Sequence, residues 1–173
     1  MQPPEQIRPK SLADYLDVLT KAVFQSGISW RVVEAKWPGT REAMLGFDPR
    51  RLAELTPEDV DRLAADSRLI RNRRKIEATV ENAQTLLDLD REHKGFKRYL
   101  RSFNDFDAAS ADLVRRFKFL GGMGAYYFLY VVGEPVPPHE EWMAKQGGRN
   151  QAESRTRSSP SRTRSSPKVN SLP

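Results

Sequence analysis

The sequence predicts an all-α fold of about eight to nine short helices. Between residues 11 and 143, apolar residues recur at helical spacing, as in the run Leu12, Leu16, Leu19 and Val23. Serine, threonine or aspartate residues, which favour helix starts, precede several of these stretches. Nowhere do apolar and polar residues alternate convincingly over the length of a strand, so no β-structure is expected.

The first two helices are predicted from their starts and ends. Ser11 and Asp14, three positions apart, resemble a capping box that opens a helix over residues 11–25. Ser29 is the predicted cap of a second helix. We expect this helix to end just before Pro38, because proline and the glycine that follows it both disfavour helix.

The remaining helices follow from capping residues and from proline at the first helical position. The predicted caps are Thr40, Asp48, Thr56 and Ser110. The longest helix covers residues 72–92 and ends at Gly95, a residue type that favours helix ends. Shorter helices are expected over residues 96–103, 110–118 and 124–132.

Three glycines separate the last two predicted helices. The connection Leu120-Gly121-Gly122-Met123-Gly124 is short, and so tight a turn requires positive φ or close backbone approach, both of which glycine provides. Its pattern resembles the L-x-G-x-G hairpin of helix-hairpin-helix DNA-binding motifs. In those motifs bare backbone amides face a DNA phosphate. An ordinary glycine-rich turn between helices is the alternative.

Composition excludes several classes of protein. The chain has 173 residues and no cysteine, so we expect no disulfide, no thiolate metal site and no cysteine nucleophile. With only two histidines we expect no metal at all. No apolar run is long enough to cross a membrane, and residues 1–10 contain no signal sequence. These features predict a cytoplasmic protein, which we expect to be a monomer without membrane partners.

The net charge of +6 belongs entirely to the C-terminal tail. Residues 145–173 contain seven basic residues and one acidic residue, so the rest of the chain is neutral overall. The string SRTRSSP occurs at 154–160 and again at 161–167. We expect one folded domain over residues 11–143, a flexible segment 1–10 and a disordered tail 144–173. The tail is either an incidental solvated segment or a salt-sensitive tether to nucleic acid.

Three strings together resemble one enzyme family. They are FQSGISW at 24–30, FDPRRLAELTPEDVDRLAADSRLIRNRRKIEATVENA at 47–83 and FKFLGGMGAYYFLYVVG at 117–133. In this order they resemble the DNA-3-methyladenine glycosylase I family of the helix-hairpin-helix DNA glycosylases, over residues 12–142. The resemblance implies an all-α fold and a double-stranded DNA substrate. It also implies an enzyme that flips out an alkylated adenine and hydrolyses its N-glycosidic bond, without a cofactor.

The resemblance also implies which residues form the site. Trp30 falls where the family places an aromatic wall of the base pocket, and a π-face suits a cationic methylated purine. Gln25 and Ser29 would line the same pocket. Backbone contact with DNA is expected from Gly121, Gly122 and Gly124, and phosphate contact from Arg73, Arg74 and Lys75. For the three cations, a merely solvated basic helix face is the alternative.

The sequence also departs from the family pattern. The family carries a glutamate eight residues before the matching tryptophan, and Ala22 stands at that position. The zinc-binding cysteines are missing as well, so we expect no zinc. Glu34, one helical turn after Trp30, is the candidate catalytic carboxylate, and an ordinary solvated surface carboxylate is the alternative. The alternative for the whole protein is a catalytically weak or inactive helix-hairpin-helix DNA-binding protein.

Overall fold

The computed structural model describes residues 3–157, with side chains described up to Gln151. This part of the chain forms nine α-helices and one 3-10 helix and contains no strand, which confirms the predicted all-α class. The 3-10 helix is Leu45–Phe47. The α-helices are α1 (Leu12–Gln25), α2 (Trp30–Ala43), α3 (Pro49–Ala53), α4 (Pro57–Ala65), α5 (Arg73–His93), α6 (Phe96–Leu100), α7 (Phe106–Arg116), α8 (Gly122–Val131) and α9 (His139–Arg157).

The helices belong to two compact units, Met1–Val136 and Pro137–Pro173. In the first unit, α1 is central because it contacts α2, α3, α5 and α8. Its residues Leu16, Leu19 and Phe24 are completely buried. Helix α1 therefore fixes where the other helices of this unit lie, and burial of its apolar side chains is a main source of stability.

The predicted starts of α1, α3 and α4 are observed. Asp48 and Thr56 cap α3 and α4, and proline occupies the first position of each helix. Ser11 caps α1 by accepting a hydrogen bond from the Asp14 amide at 3.4 Å. The Asp14 carboxylate accepts from the Lys10 amide at 2.7 Å, so only half of the predicted capping box forms.

The predicted end of the second helix is wrong, because α2 continues through Pro38 to Ala43. Val33, Trp37 and Thr40 are buried on one side of α2, and this continuous buried face outweighs the backbone hydrogen bond that proline removes. Thr40 therefore does not cap a further helix. It lies inside α2, where its hydroxyl donates to the Lys36 carbonyl at 2.8 Å.

The starts and ends of α5, α6 and α7 refine the predictions. Asn72 caps α5 by accepting from the Lys75 amide at 3.1 Å, and Lys94 ends the helix in the left-handed conformation at φ 56°. Helix α6 is shorter than predicted. Asp105, not Ser110, caps α7, by accepting from the Ala108 amide at 2.8 Å. Ser110 instead lies within α7.

The hairpin between α7 and α8 uses its glycines differently from the prediction. The residue with positive φ is Phe119, at 58°, whereas Gly121 has φ −92° and caps α8. At Gly124 the lack of a side chain matters because two neighbouring side chains lie close to its backbone. A Cβ atom there would lie 2.9 Å from Cδ1 of Leu120 and 3.7 Å from Cβ of Ala22. The first distance would force the Leu120 side chain to shift, whereas the second is an ordinary van der Waals contact. Gly124 therefore leaves room for Leu120 at the place where α8 packs on α1.

The N-terminal segment of the described chain is hydrogen-bonded to α8, and the C-terminal end is helical. The Ile7 amide donates to the Val131 carbonyl at 2.8 Å, and the Gln6 side chain donates to the Tyr130 carbonyl at 2.9 Å. At the other end, α9 extends to Arg157 within the predicted tail. The predicted disorder of residues 158–173, and most of the repeated string, lie outside the described residues. Within residues 3–157 no helix is both long and apolar enough to cross a membrane.

Substituting Gly124 tests the contact between α1 and α8. We expect Gly124→Val to lower the free energy of unfolding by about 2 kcal/mol, because the added atoms would displace the buried Leu120 side chain beside Ala22 of α1. Gly122→Val is the matched control, since a Cβ atom at Gly122 meets nothing within 4 Å. It should change stability by at most about 0.5 kcal/mol in urea unfolding. Equal losses for both variants would contradict this packing.

Candidate functional site

A pocket of about 560 Å³ opens where α1, α2 and α8 meet the N-terminal segment. Its lining combines apolar, aromatic and charged side chains from all four parts of the chain. The lining residues are Pro3, Pro4, Glu5 and Ile7, Asp14, Asp17, Val18 and Lys21 of α1, Trp30, Glu34 and Arg41 of α2, and Tyr127 and Val131 of α8.

The two tryptophans of α2 have different environments. Trp30, the first residue of the helix, lines the pocket and is 50% exposed. Trp37 is 3% exposed, and its indole N–H donates to the Asp17 carboxylate at 2.7 Å. Its ring stacks on Phe47 with the ring centroids 5.4 Å apart. Trp37 is therefore a packing residue, whereas Trp30 offers an uncovered aromatic face to a ligand.

Acidic groups outnumber basic groups in the pocket. Four carboxylates, from Glu5, Asp14, Asp17 and Glu34, face only two cations, Lys21 and Arg41. Removal from water strengthens the interaction of such charges with a ligand. The pocket therefore favours a positively charged group and disfavours an anion such as phosphate.

The carboxylates of Asp17 and Glu34 differ in their hydrogen bonds and in their exposure to solvent. Both oxygens of Asp17 accept hydrogen bonds, one from Trp37 and one from the Arg41 guanidinium at 2.7 Å. Glu34 lies one helical turn after Trp30 and forms an ion pair with Lys21. The Glu34 side chain is 40% exposed, against 21% for Asp17. Glu34 is therefore the more accessible of the two to a bound molecule.

Tyr127 of α8 is a pocket residue that the sequence analysis missed. Burial, together with the negative charges of Glu34 and Asp17, raises the pKa of Tyr127 to about 12. At neutral pH its hydroxyl is therefore protonated and can donate a hydrogen bond. The surrounding string AYYFLY is almost entirely apolar or aromatic, so the pattern does not distinguish a pocket tyrosine from a core one.

Gln25 and Ser29, the other predicted pocket residues, lie on either side of the turn that joins α1 to α2. The Gln25 amide lies beside the Tyr127 hydroxyl, and its nitrogen is buried without a hydrogen-bond partner in the described part of the chain. Ser29 is exposed and precedes α2 without making a capping hydrogen bond. The structure thus brings Gln25 next to a pocket residue and leaves Ser29 at the surface.

Position 22 is closed by packing. Ala22 is 4% exposed, and its methyl group lies 3.7 Å from where a Cβ atom at Gly124 would be. A larger, charged side chain at this position would enter the contact between α1 and α8. The negative charge of the pocket therefore comes from other positions, among them Asp17 and Glu34.

The hairpin presents bare backbone at its tip. Gly121 and Gly122 are exposed, and a Cβ atom at either residue would meet nothing within 4 Å. No neighbouring atom of the protein therefore requires glycine there, in contrast to Gly124. Amide groups at the start of a helix such as α8 are unpaired within the helix and attract anions. Along α8, Gly122 and pocket residue Tyr127 are separated by about 8 Å.

The three predicted DNA-contacting cations have three different environments. Arg73 forms ion pairs with Asp61 and Glu77. Lys75 is 6% exposed, and its ammonium group donates to backbone carbonyls at the end of α1, including that of Ser26. Burial lowers the pKa of Lys75. A buried ammonium cannot reach a DNA phosphate, so Lys75 is a structural residue. Arg74 is exposed at the start of α5.

The residues present do not fit the zinc site that the family resemblance implies. The chain has no cysteine, and its two histidines, His93 and His139, are far apart in sequence. Within residues 3–157, no group of three or more histidine, aspartate or glutamate side chains could hold a metal ion.

The structure thus combines a helical domain, an acidic pocket with Trp30 in its wall, and a glycine-rich hairpin at the start of α8. The chain belongs to the methyladenine glycosylase family, whose family model matches residues 11–116. This confirms the family indicated by the three sequence strings.

Two relatives illustrate the similarity in sequence. The chain is 39% identical over 79 residues to a DNA-3-methyladenine glycosylase of Haemophilus influenzae, covering 46% of this chain and 43% of that protein. It is 32% identical over 130 residues to DNA-3-methyladenine glycosylase 1 of Escherichia coli, covering 63% of this chain and 70% of that protein. The chain thus spans less than half of the first relative and about two thirds of the second.

Solved structures show the same fold. A tyrosine-to-phenylalanine variant of 3-methyladenine DNA glycosylase I, in complex with 3-methyladenine, aligns with a TM-score of 0.66 at 25% identity. The alignment covers 75% of this chain and 81% of that one. The 3-methyladenine DNA glycosylase I of Staphylococcus aureus aligns with a TM-score of 0.64 at 25% identity, covering 76% and 79% of the two chains.

Neighbouring residues Arg74 and Lys75 provide a test of the environments described above. We expect Lys75→Met to lower the free energy of unfolding by about 1–3 kcal/mol, because it removes the donor for carbonyls at the end of α1. Arg74→Met, the matched control on the exposed side, should change it by at most about 0.5 kcal/mol. Thermal and urea unfolding measure both. An unchanged stability in Lys75→Met would mean that the ammonium does not hold these carbonyls.

Proposed function

We propose that the protein is a DNA glycosylase that hydrolyses the N-glycosidic bond of alkylated adenine, of the 3-methyladenine type, in double-stranded DNA. The observation that carries the proposal is the acidic pocket with the half-exposed Trp30 at its wall. Its relatives carry the name DNA-3-methyladenine glycosylase, and one similar structure was solved in complex with 3-methyladenine.

Binding of the flipped base follows from the side chains of the pocket. Methylation at N3 gives the adenine of DNA a positive charge, which the π-face of Trp30 and the surplus of carboxylates attract. The protonated hydroxyl of Tyr127 and the neighbouring Gln25 amide supply hydrogen-bonding groups for the edge of the base. Ser29, at the surface before α2, is proposed to contact the nucleotide at the pocket entrance.

The reaction needs little help from a strong acid. The bond between C1′ and the base breaks, its electron pair goes to the base, and 3-methyladenine leaves as a neutral molecule. Water adds to C1′ and loses a proton. We assign Glu34 as the catalytic carboxylate, which stabilises the positive charge that develops on the sugar and takes up this proton. It lies in the same pocket as Trp30 and is more exposed than Asp17.

Contact with DNA would use the hairpin and one end of α5. The amides at Gly121 and Gly122 are proposed to face a phosphate, because no protein atom fills the space beside them. Gly124 acts indirectly, by packing the hairpin helix on α1. Exposed Arg74 is the proposed phosphate contact from α5. Arg73 is proposed to contribute less to phosphate binding, because it already forms ion pairs with two carboxylates.

A second candidate function is DNA binding with weak or absent catalysis. The buried Ala22 favours it, because this chain lacks the glutamate that the family resemblance places there. The organisation proposed from the sequence belongs to either function. It comprises a monomeric cytoplasmic protein with a helical domain over residues 11–143, an N-terminal segment 1–10 and a basic tail over 144–173. The tail begins as a helix, because α9 extends to Arg157, and the N-terminal segment is hydrogen-bonded to α8 at Gln6 and Ile7.

Base release from methylated DNA tests the glycosylase function. We expect the full chain to release 3-methyladenine, measured by chromatography of the free bases, and to release no unmodified adenine. Trp30→Ala should lower the rate about tenfold to a hundredfold, because it removes the stacking surface. Val32→Ala, which shortens another exposed apolar side chain of α2, is the control and should release base at the rate of the unsubstituted chain.

Glu34→Gln tests whether Glu34 acts in catalysis rather than in DNA binding. It keeps the size of the side chain and removes its charge, so we expect slower base release with unchanged binding to unmodified duplex DNA. Glu81→Gln, at an exposed position on α5, is the matched control. If the unsubstituted chain releases no more 3-methyladenine than heat-treated protein does, while still binding the duplex, the DNA-binding function is the better account.

A binding experiment tests the hairpin contact. Gly122→Val should fold normally and bind duplex DNA of any sequence more weakly, because its side chain blocks the approach of a phosphate. Arg74→Gln should reduce the slope of log affinity against log salt by about 0.9, the value for one lost phosphate contact. Arg62→Gln, an exposed cation of α4, is the control. Wild-type affinity in Gly122→Val would rule out the proposed amide contact.

A further inference from the structure

Two apolar side chains of the hairpin are exposed to solvent and are not packed in the core. Met123 is 61% exposed and Phe119 is 52% exposed, the highest values among the exposed large hydrophobic residues of the described chain. A single exposed apolar residue is normal on a protein surface. Here the two lie on either side of Gly121 and Gly122, whose backbone is also uncovered.

The backbone that carries Phe119 is held from both sides. Asn82 of α5, which is 2% exposed, accepts a hydrogen bond from the Lys118 amide at 2.8 Å and donates one to the Lys118 carbonyl at 3.1 Å. On the other side, Leu120 is 4% exposed and packs in the core. The Phe119 ring therefore projects from a fixed point of the backbone.

The backbone conformation of Phe119 opposes a side chain at this position. At φ 58° its Cβ atom crowds the backbone, and glycine would adopt the same conformation without that cost. A half-exposed ring recovers only part of the stabilisation that burial provides. Folding alone would thus be served better by glycine at position 119.

The charges near the hairpin indicate the partner. Arg115 and Arg116, at the end of α7, share the single carboxylate of Asp112, and Lys118 is exposed. Three cations and one carboxylate give this stretch a formal charge of +2. A surface that combines positive charge, bare amides and apolar side chains matches duplex DNA, whose phosphates flank apolar sugar faces and base edges.

We propose that Phe119 and Met123 form an apolar contact with the sugars and base edges of duplex DNA. The amides of Gly121 and Gly122 face the adjacent phosphate in the same complex. Asn82 is the positioning residue, because it fixes the backbone immediately before Phe119. The inference rests on the proposed DNA-binding function and adds a part of the interface that carries no charge.

Salt dependence distinguishes this contact from a phosphate contact. The full chain is titrated onto an unmodified, fluorescently labelled duplex at several salt concentrations, so that catalysis plays no part. We expect Phe119→Ala and Met123→Ala each to weaken binding about fivefold to tenfold, as loss of an aromatic or apolar contact does. The slope of log affinity against log salt stays unchanged, whereas Arg74→Gln lowers it by about 0.9.

Three further variants separate contact from folding. Phe119→Leu keeps an apolar side chain and should bind within about threefold of the unsubstituted chain, because the apolar contact survives. Phe119→Gly should unfold at the same temperature or higher, because it relieves the positive φ, and should still bind weakly. Met143→Ala shortens an exposed methionine outside the hairpin and should bind normally. Asn82→Ala should weaken DNA binding. The double variant Asn82→Ala, Phe119→Gly should bind DNA little more weakly than Asn82→Ala alone.

Two outcomes overturn the inference. The first is wild-type affinity in both Phe119→Ala and Met123→Ala. The second is a reduced salt slope in these variants, which would mean that they disturb phosphate contacts. If either occurs while the unsubstituted chain still binds DNA and releases 3-methyladenine, the proposed function stands and only the apolar contact is lost. If the unsubstituted chain binds no duplex, the inference and the proposed function both fail.

Discussion

The close contact between α1 and α8 is the constraint on which the rest of the site depends. Gly124 and Ala22 are small residues that face each other in this contact, and the absence of a side chain at Gly124 leaves room for Leu120. Because α8 begins at the hairpin and supplies Tyr127 to the pocket, its position on α1 sets both sites at once. A shift of α8 along α1 would move the hairpin amides and the pocket wall together.

The same contact explains why the pocket carries its charge where it does. A glutamate at position 22 would have to enter the space in which α1 meets α8. With alanine there, the carboxylates come from other turns of α1, from α2 and from the N-terminal segment. Asp17 accepts a hydrogen bond from Trp37 and pairs with Arg41, and it thereby ties α1 to α2. Glu34 is left as a more exposed charge one turn from Trp30.

Much of the fold could be predicted from the sequence because helix signals are local. Caps such as Asp48 and Thr56, and the spacing of apolar residues in α1, depend on neighbours within one or two turns. The predictions were wrong where packing against residues distant in sequence determines the extent of a helix. Helix α2 continues through Pro38 because its buried face packs on other helices, and the sequence near Pro38 carries no sign of that packing.

The candidate site was less predictable for the same reason. Trp30 and Glu34 share a helix, so their spacing alone placed them together, and both line the pocket. Tyr127 comes from a helix about a hundred residues away, and its neighbours in sequence are nearly all apolar. Arg73, Arg74 and Lys75 are adjacent in a basic string, yet one is paired, one exposed and one buried. Their environments differ because α1 buries Lys75, whereas Asp61 of α4 pairs with Arg73.

The buried ammonium of Lys75 has a consequence for the motions of the molecule. It binds carbonyls at the end of α1, where the turn toward Trp30 begins, and its own backbone belongs to α5. Opening this turn alone would leave a charged group inside the protein without partners. The turn and the first part of α5 should therefore open as one cooperative unit, with backbone amides that exchange hydrogen for deuterium at a common rate. The turn that leads to the pocket residue Trp30 is then held by the first part of the longest helix of the domain.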